Sequence, residues 1–259
     1  MKAIILAAGY ATRLRPLTDA IAKPLLPVGG RPMIEWIADK LAGVAELDGV
    51  HVVTNNRYAA DFAAWADGRV VTVHDDGTTS NEDRLGAIGD IEFVVYQAAI
   101  DDHLLVVAGD NLFDFSLADY VAFWRGKGVA SAVAVHDVGD RELAKEYGVV
   151  ELDAEDRVVA LVEKPADPAS TLVSTATYLL HREHVPLVQR YLGEGNSPDQ
   201  PGKLFVWLHQ REAVYGYRFA GEWLDIGSPE QLLAADNRLR ARLGLPQRDE
   251  YTLSAQFGA

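Results

Sequence analysis

LAAGYATRLRPLTDAIAKPLLPV, residues 6–28, begins at the end of an apolar run and turns at once into a small-residue loop. The stretch carries Arg13, Arg15 and Lys23, although the 259-residue chain has a net charge of -14. A short apolar strand that breaks into such a loop is how an open α/β sheet starts. In such sheets ligands bind beyond the carboxyl ends of the strands. Ala7, Ala8, Gly9 and Ala11 are small enough for backbone amides to approach an anion. Arg13 and Lys23 add formal positive charge, and an arginine can clamp two phosphate oxygens at once. Taken alone, the residues fit either an anion-binding wall or a tight turn with solvated basic side chains.

Working outward, short apolar runs alternate with helical periodicity. This predicts a Rossmann-like, mostly parallel sheet with helices on both faces. Strands are expected at 3–7, 50–54, 70–74, 104–108 and 129–136. Between them, Pro32 opens a helix at its first position and Gly43 stops it, with Ile34, Ile37, Ala38 and Leu41 as the apolar stripe. Further helices are expected over 58–66 and 85–99, with Trp36, Phe62 and Trp65 in the core. After residue 137 the pattern changes. YGVVELD, RVVALVEKP and TLVSTATYLL alternate like antiparallel strands, so an inserted, partly antiparallel lobe is expected. The chain returns through AVYGYRF to a last helix. Ser228 is its N-cap, Pro229 its first residue and Gln231 the partner in a capping box. Leu232, Ala235, Leu239 and Leu243 form its apolar face, and Gly244 stops it. One domain over 1–245 is expected. It divides into a first α/β region over 1–136, a lobe and return strand over 137–227 and a closing helix over 228–245, with a tail over 246–259.

The acidic balance argues against a nucleic-acid or anionic-membrane surface, since both require a basic face. It leaves room for a small phosphorylated ligand in a local positive pocket. With no cysteine, disulfides, a thiol nucleophile and thiolate-bound zinc are excluded. No apolar run approaches a membrane span, and the N-terminus does not read as a secretory signal, so a cytoplasmic location is expected. His181 and His184 stand three apart without accompanying carboxylates and are expected at the surface.

The whole stretch LAAGYATRLRPLTDAIAKPLLPVGGRPMI resembles the signature of the sugar-1-phosphate nucleotidylyltransferases, the nucleoside-diphosphate-sugar pyrophosphorylases, and the glucose-1-phosphate thymidylyltransferases in particular. The likeness extends through LLVVAGDNLF, KEYGVVELD, EKP and WLDIGSPEQLLAADN. The resemblance implies Mg²⁺ as cofactor, held by Asp110 and Asp225, and a nucleoside triphosphate and a sugar-1-phosphate as partners. It implies nucleotide contacts from Leu6, Ala8, Gly9, Ala11, Thr12, Arg13 and Gly86. Sugar-phosphate contacts fall to Gly148, Glu163, Lys164 and Thr175. Arg13, Lys23 and Lys164 become the catalytic cations: Arg13 on departing pyrophosphate, Lys23 on the triphosphate side, Lys164 on the sugar phosphate. Homo-oligomerisation is compatible with the likeness.

The implied reaction needs no side-chain base, because a sugar-phosphate oxygen is already ionised at neutral pH. Positioning and charge neutralisation carry it. Two departures stand out. The family usually has glycine where Ala11 stands, and glycine again where Ala176 stands. DDGTTSNEDRLGAIGD replaces the usual base-contacting segment, and Asn81 and Arg84 there either add polar contacts or belong to a capped loop. Arg15 reads as structural. A dTDP-glucose-type product is favoured, with a GDP-mannose type next. The rivals are a phosphocholine-type cytidylyltransferase and a non-catalytic nucleotide-sugar-binding module. Neither a hexapeptide repeat nor room for an appended β-helix is expected.

Overall fold

The structure, a computed structural model, describes residues 1–253. The chain starts with β1 (Lys2–Leu6), α1 (Leu17–Ala20) and the small pair β2 (Pro27–Val28) and β3 (Arg31–Pro32). Then follow α2 (Met33–Ala42), β4 (Gly49–Thr54), α3 (Ala59–Ala66), β5 (Thr72–Asp75) and α4 (Ala87–Gln97). Next come β6 (Leu104–Ala108), β7 (Asn111–Phe113), α5 (Leu117–Arg125), β8 (Ser131–Asp137) and α6 (Arg141–Ala144). The second half holds β9 (Gly148–Leu152), β10 (Val158–Glu163), β11 (Leu172–Leu180), α7 (Leu187–Gly193) and α8 (Pro201–Leu208). Last are β12 (Val214–Arg218), β13 (Trp223–Asp225) and α9 (Pro229–Arg242).

β1 lies at the centre, parallel to β4 on one side and β6 on the other, and β4 is parallel to β5. Beyond β6 the antiparallel β11 intervenes, followed by β8 and a parallel β12. The parallel strands and the helices on both faces are as expected, but β11, read from the sequence as a strand of the inserted lobe, enters the central sheet antiparallel beside β6. The carboxyl ends of β1, β4 and β6 finish level with one another, at Leu6, Val53 and Ala108 in register. One apolar core packs α2, α5 and α9 against the sheet, and a second packs α4, α7 and α8 against its other face. Ile4 and Ile5, adjacent on β1, point into opposite cores, as the period of two demands.

β9 and β10 form the expected hairpin, joined to the first half of β11 through Val173. β11 is the hinge between lobe and sheet. Its register shifts between Ser174 and Tyr178, and within that bulge Ala176 takes φ 53°.

Several local expectations are corrected. Val70 is 95% exposed, so β5 starts at Thr72 instead. Pro32 stands just ahead of α2, extended at ψ 140°, because the helix begins at Met33. Ser228 caps α9 through its hydroxyl, but Gln231 reaches past the cap to accept from Gly227 N at 2.7 Å. Leu243 lies beyond the helix end and is 50% exposed, so the apolar face of α9 stops at Leu239. His184 is buried, its Nδ1 paired with the Ser131 hydroxyl at 2.8 Å, and is no surface residue. Phe62 is buried as expected, while Trp36 and Trp65 only flank the core. Within the tail, Tyr251 docks by donating to the Pro27 carbonyl at 2.7 Å. Residues 254–259 lie outside the described residues. Among the described residues no helix is long and apolar enough to cross a membrane.

Candidate active site

The loop after β1 is tied down from three directions. Ala7 N donates to Val53 O and Gly109 N to Leu6 O, each at 2.9 Å, and the buried Asn55 amide donates to Ala8 O at 2.8 Å. Ala11 then turns into the left-handed region, φ 44° and ψ 46°. Its carbonyl is held there by Leu14 N and the Thr18 hydroxyl, at 2.9 and 3.0 Å. The alanine adopts the conformation that glycine would take freely, at a cost of about 1–2 kcal/mol. Thr12 and Arg13 follow in a short 3₁₀ turn, both exposed. The Arg13 guanidinium lies over Gly227: a Cβ built there would sit 3.2 Å from Nη2. Arg13 makes no ion pair among the described residues. Arg15, by contrast, pairs with Asp19 on the surface.

Asp110 follows β6, and Asp225 ends β13, 115 positions later in the chain. β13 pairs antiparallel with β7, and the register sets Asp225 opposite Asn111. That pairing brings the two carboxylates together. The Asn111 amide donates to Asp110 Oδ1 at 3.0 Å and Asp225 Oδ1 at 3.2 Å. One shared donor keeps those oxygens within about 6 Å of each other. Asn111 is oriented in turn by Trp223 Nε1, which donates to its Oδ1 at 2.7 Å. Lys23, only 8% exposed, donates to Asp110 Oδ2 at 2.6 Å. It was expected on the triphosphate side; its ammonium is instead committed to Asp110. Burial pushes the Asp110 carboxyl up, but the Lys23 charge and the hydrogen bonds outweigh it and hold the group below the carboxylate range. Asp225 is raised, by burial first and then by the negative charge of Asp110.

Two clefts meet at this pair. The first, of about 380 Å³, is lined by Leu6, Ala8, Gly9, Gly86, Asp90, Asp110 and Asp199 among others. The second, of about 200 Å³, is lined by Tyr147, Gly148, Glu163, Lys164, Ser174, Gly202 and Asp225 among others. Asn111, Ala176 and Pro201 belong to both walls.

Gly86 caps α4 at φ 79°, and a Cβ there would come within 2.8 Å of the Pro198 carbonyl. Pro198 O also accepts from Ile88 N at 2.7 Å, so the segment before α8 closes down on the start of α4. Arg84 pairs with Asp199 at 3.2 Å and donates to Asn81 O at 2.6 Å, so both serve this closure.

On the other side, Glu163 ends β10 opposite Gly148. Lys164 follows in the left-handed region at φ 48°, its N–H held by Tyr147 O at 3.0 Å, and its side chain is exposed. A Cβ on Gly148 would lie 2.9 Å from the Ser174 hydroxyl and 3.0 Å from Glu163 Oε2. A Cβ on Gly202, in the first turn of α8, would overlap the same carboxylate. Burial raises the Glu163 carboxyl, against the lowering effect of Lys164 and Lys203. Gly202 and the 196–201 segment were missed in the sequence, because GNSPDQPGK reads as an ordinary loop running into a helix.

Thr175 is corrected. It is fully buried, and its hydroxyl donates to Ala134 O at 3.1 Å, across the sheet. Alternation along β11 gives the cleft to Ser174 and Ala176 instead. Leu6, Ala8, Gly9, Gly86 and Asp110 line the first cleft and Gly148, Glu163, Lys164 and Asp225 the second, whereas Ala11, Thr12 and Arg13 line neither.

The donor set suits a hard divalent cation. Two carboxylates supply oxygen ligands and leave positions for phosphates and water, as Mg²⁺ prefers. Among the described residues no group of three or more His, Cys, Asp or Glu forms a closed metal cage.

A family model described as nucleotidyl transferase matches residues 2–242. The chain belongs to the nucleotidyl transferase family. Among curated members, a UTP–glucose-1-phosphate uridylyltransferase of Synechocystis is 30% identical over 88% of this chain and 60% of its own length. A mannose-1-phosphate guanylyltransferase of Mycobacterium tuberculosis is also 30% identical, over 89% of this chain and 62% of its own. The chain thus spans about three fifths of the length of the curated nucleotidyl transferases it matches. A crystal structure from Bacillus anthracis in complex with sucrose, assigned as a glucose-1-phosphate thymidylyltransferase, superposes with a TM-score of 0.76. It covers 99% of this chain and 98% of its own at 24% identity, a likeness of fold.

Proposed function

We propose that this chain catalyses attack of a sugar-1-phosphate oxygen on the α-phosphorus of a nucleoside triphosphate. The new P–O bond forms as the α–β bridging bond breaks, so pyrophosphate leaves and a nucleoside-diphosphate sugar remains. The observation that supports this reading best is the Asn111-bridged pair, Asp110 and Asp225, at the junction of two clefts.

Asp110 and Asp225 would hold Mg²⁺, which when bound supplies Lewis-acid charge to the phosphates. Lys23 keeps Asp110 ionised and aimed. The β1 loop, through Ala8, Gly9 and Ala11, lets backbone approach the triphosphate, and Arg13 neutralises the charge that grows on pyrophosphate. Across the junction, Lys164 holds the phosphate of the sugar. Glu163 and the clearance at Gly148 and Gly202 shape the space for its hydroxyls. Water is kept from the reacting phosphorus by the 196–201 segment, which closes over the first cleft. Glucose-1-phosphate with dTTP is the first pair to test, and mannose-1-phosphate with GTP the next. Such substrates are cytoplasmic, which agrees with the expected location.

A second reading has a specific observation in its favour. Tyr147, Tyr178 and Trp223 line the second cleft beside Glu146 and Glu163, and aromatic faces with carboxylates attract a quaternary ammonium. Phosphocholine with CTP therefore belongs in the same panel.

The test is pyrophosphate release with Mg²⁺ across the four common nucleoside triphosphates, dTTP, the hexose-1-phosphates and phosphocholine. Release with a hexose-1-phosphate is expected. Release with phosphocholine alone would favour the second reading, and binding of a nucleotide sugar without any release would leave only a binding module.

A further inference from the structure

Beside the first cleft lie two carboxyl groups that the proposed reaction does not use. Asp90 stands in the first turn of α4, its N–H bonded to Gly86 O at 2.8 Å, and Asp76 follows β5. Asp90 is 6% exposed and still lines the cleft with Ala8, Gly9, Gly86 and Ala87. Its Oδ1 is buried with no hydrogen-bond donor, and so is Oδ2 of Asp76. The other oxygen of Asp76 is fully engaged, accepting from Thr78 N and the Thr78 hydroxyl, both at 2.7 Å. Thr78 is itself held by Tyr10 through its hydroxyl at 3.3 Å.

Asp90 is buried and the neighbouring Asp76 half-buried, and a single proton between the two carboxyls satisfies the buried oxygen of each that lacks a donor. Asp76 already takes two hydrogen bonds that favour charge, so the negative charge settles on Asp76 and the proton on Asp90. Burial, then the charge of Asp76, pushes the Asp90 carboxyl up to about 8. Because Oδ1 is the buried, unpartnered oxygen, Asp90 Oδ2 is left on the cleft side as an uncharged acceptor. An uncharged acceptor matters here. A full carboxylate would repel the triphosphate that the neighbouring loop attracts.

We propose that Asp90 is the base-reading residue of the first cleft, its Oδ2 accepting an N–H from the edge of a nucleobase while Asp76 holds its Oδ1. The proposal rests on the nucleotidyl-transfer reading and names the residue that selects the nucleotide. The ligand is a nucleobase with an N–H donor on its pairing edge, such as the imide of thymine or uracil. Asp76 is a positioning residue, acting through Asp90.

The experiment compares wild type, Asp90→Leu and Asp90→Asn with the best nucleoside triphosphate from the pyrophosphate assay. Leucine removes the acceptor, so KM for the triphosphate should rise about tenfold, the loss of one well-made hydrogen bond, with KM for the sugar phosphate unchanged. Asparagine mimics the protonated acid: its amide donates to Asp76 and its carbonyl faces the cleft. It should recover most of the lost affinity. Thermal shifts with the same triphosphate give a second readout that does not need turnover, and unliganded melts verify folding. An unchanged triphosphate KM in Asp90→Leu overturns the inference, as does an asparagine variant no better than leucine, since a charge would then be what binds. In both cases an active wild type leaves the parent reading standing. If wild type neither releases pyrophosphate nor is stabilised by any triphosphate, that reading falls and this inference with it.

Discussion

Around the first cleft, the polar groups are held mainly by hydrogen bonds between neighbours. Lys23 holds Asp110, Asn111 links Asp110 to Asp225, Trp223 orients Asn111, and Asn55 fixes the β1 loop. The second cleft is shaped by missing atoms instead. Gly148 and Gly202 come from elements far apart in the chain, and both clear space for the one Glu163 carboxylate. The contrast has a physical consequence. A polar network fails when a group is removed, whereas a cleared space fails when a methyl is added. The same pair of clefts should therefore respond oppositely to truncation and to enlargement.

The largest effect should follow Asp110→Asn. It removes a carboxylate from the proposed cation site and leaves Lys23, almost fully buried, without its partner. Pyrophosphate release should drop at least about 100-fold, mainly in kcat. A residual rate within threefold of wild type would break the claim that the two carboxylates form the centre. Next comes Gly202→Ala. The added methyl overlaps Glu163 Oε2 and must displace it, at a strain of about 1–3 kcal/mol. KM for the sugar phosphate should rise about tenfold while KM for the triphosphate stays fixed. If both constants rise together, the two clefts are not separately built.

Much of the first cleft was legible in the sequence because its components are local. An apolar run, a small-residue loop and an aspartate after β6 follow one another over short spans, and α9 carries readable caps that fix Asp225 ahead of it. The second cleft was harder to read for a geometric reason. A bulge in β11 decides which of Ser174, Thr175 and Ala176 meets the cleft, and alternation alone does not say where a bulge falls. Gly202 looks like any helix residue until its long-range neighbour is known. Asp90 sits within LGAIGD, where its burial against Asp76 depends on how β5 and α4 pack. Lys23 reads in the sequence as a functional candidate, but its partner stands 87 positions away. Short-range spacing carries no signal for such pairs.

Between pH 4 and 8 the two clefts differ again, since Asp90 holds a proton that the unfolded chain releases. Its carboxyl is pushed up to about 8 from 3.8, by burial first and the Asp76 charge second. The native state therefore binds more protons than the unfolded state in that window, and stability must fall as pH rises through it. Below about pH 4 both states are protonated, and above about 8 both are ionised, so the slope vanishes at either end. Asp90→Asn cannot ionise and should lack this fall. At pH 7.5 the variant should be the more stable by several kcal/mol, with the gap closing at pH 4. Denaturant unfolding at the two pH values measures it. A gap that does not change with pH would mean that Asp90 is already ionised in the native protein.

The smallest effect tests where strain is stored on each side of the junction. Ala11, in the loop after β1, and Ala176, in the β11 bulge that lines both clefts, both occupy the left-handed region, at φ 44° and 53°. Both stand where the family resemblance leads one to expect glycine. A Cβ in that region costs about 1–2 kcal/mol, and a glycine would remove it while adding roughly 0.5–1 kcal/mol of unfolded-chain entropy. The net gain for Ala11→Gly should be about 0.5–1 kcal/mol, a rise in Tm of about 2 °C for a chain of this size. Ala176→Gly should gain less. A bulge residue is held only by the strands around it, and a more flexible chain there gives back some of the relief. Scanning calorimetry on both variants decides the matter. If Ala11→Gly melts lower than wild type, the methyl makes packing contacts worth more than the backbone strain. The loop would then be held by its side chains as well as by the hydrogen bonds at Ala8 and Ala11.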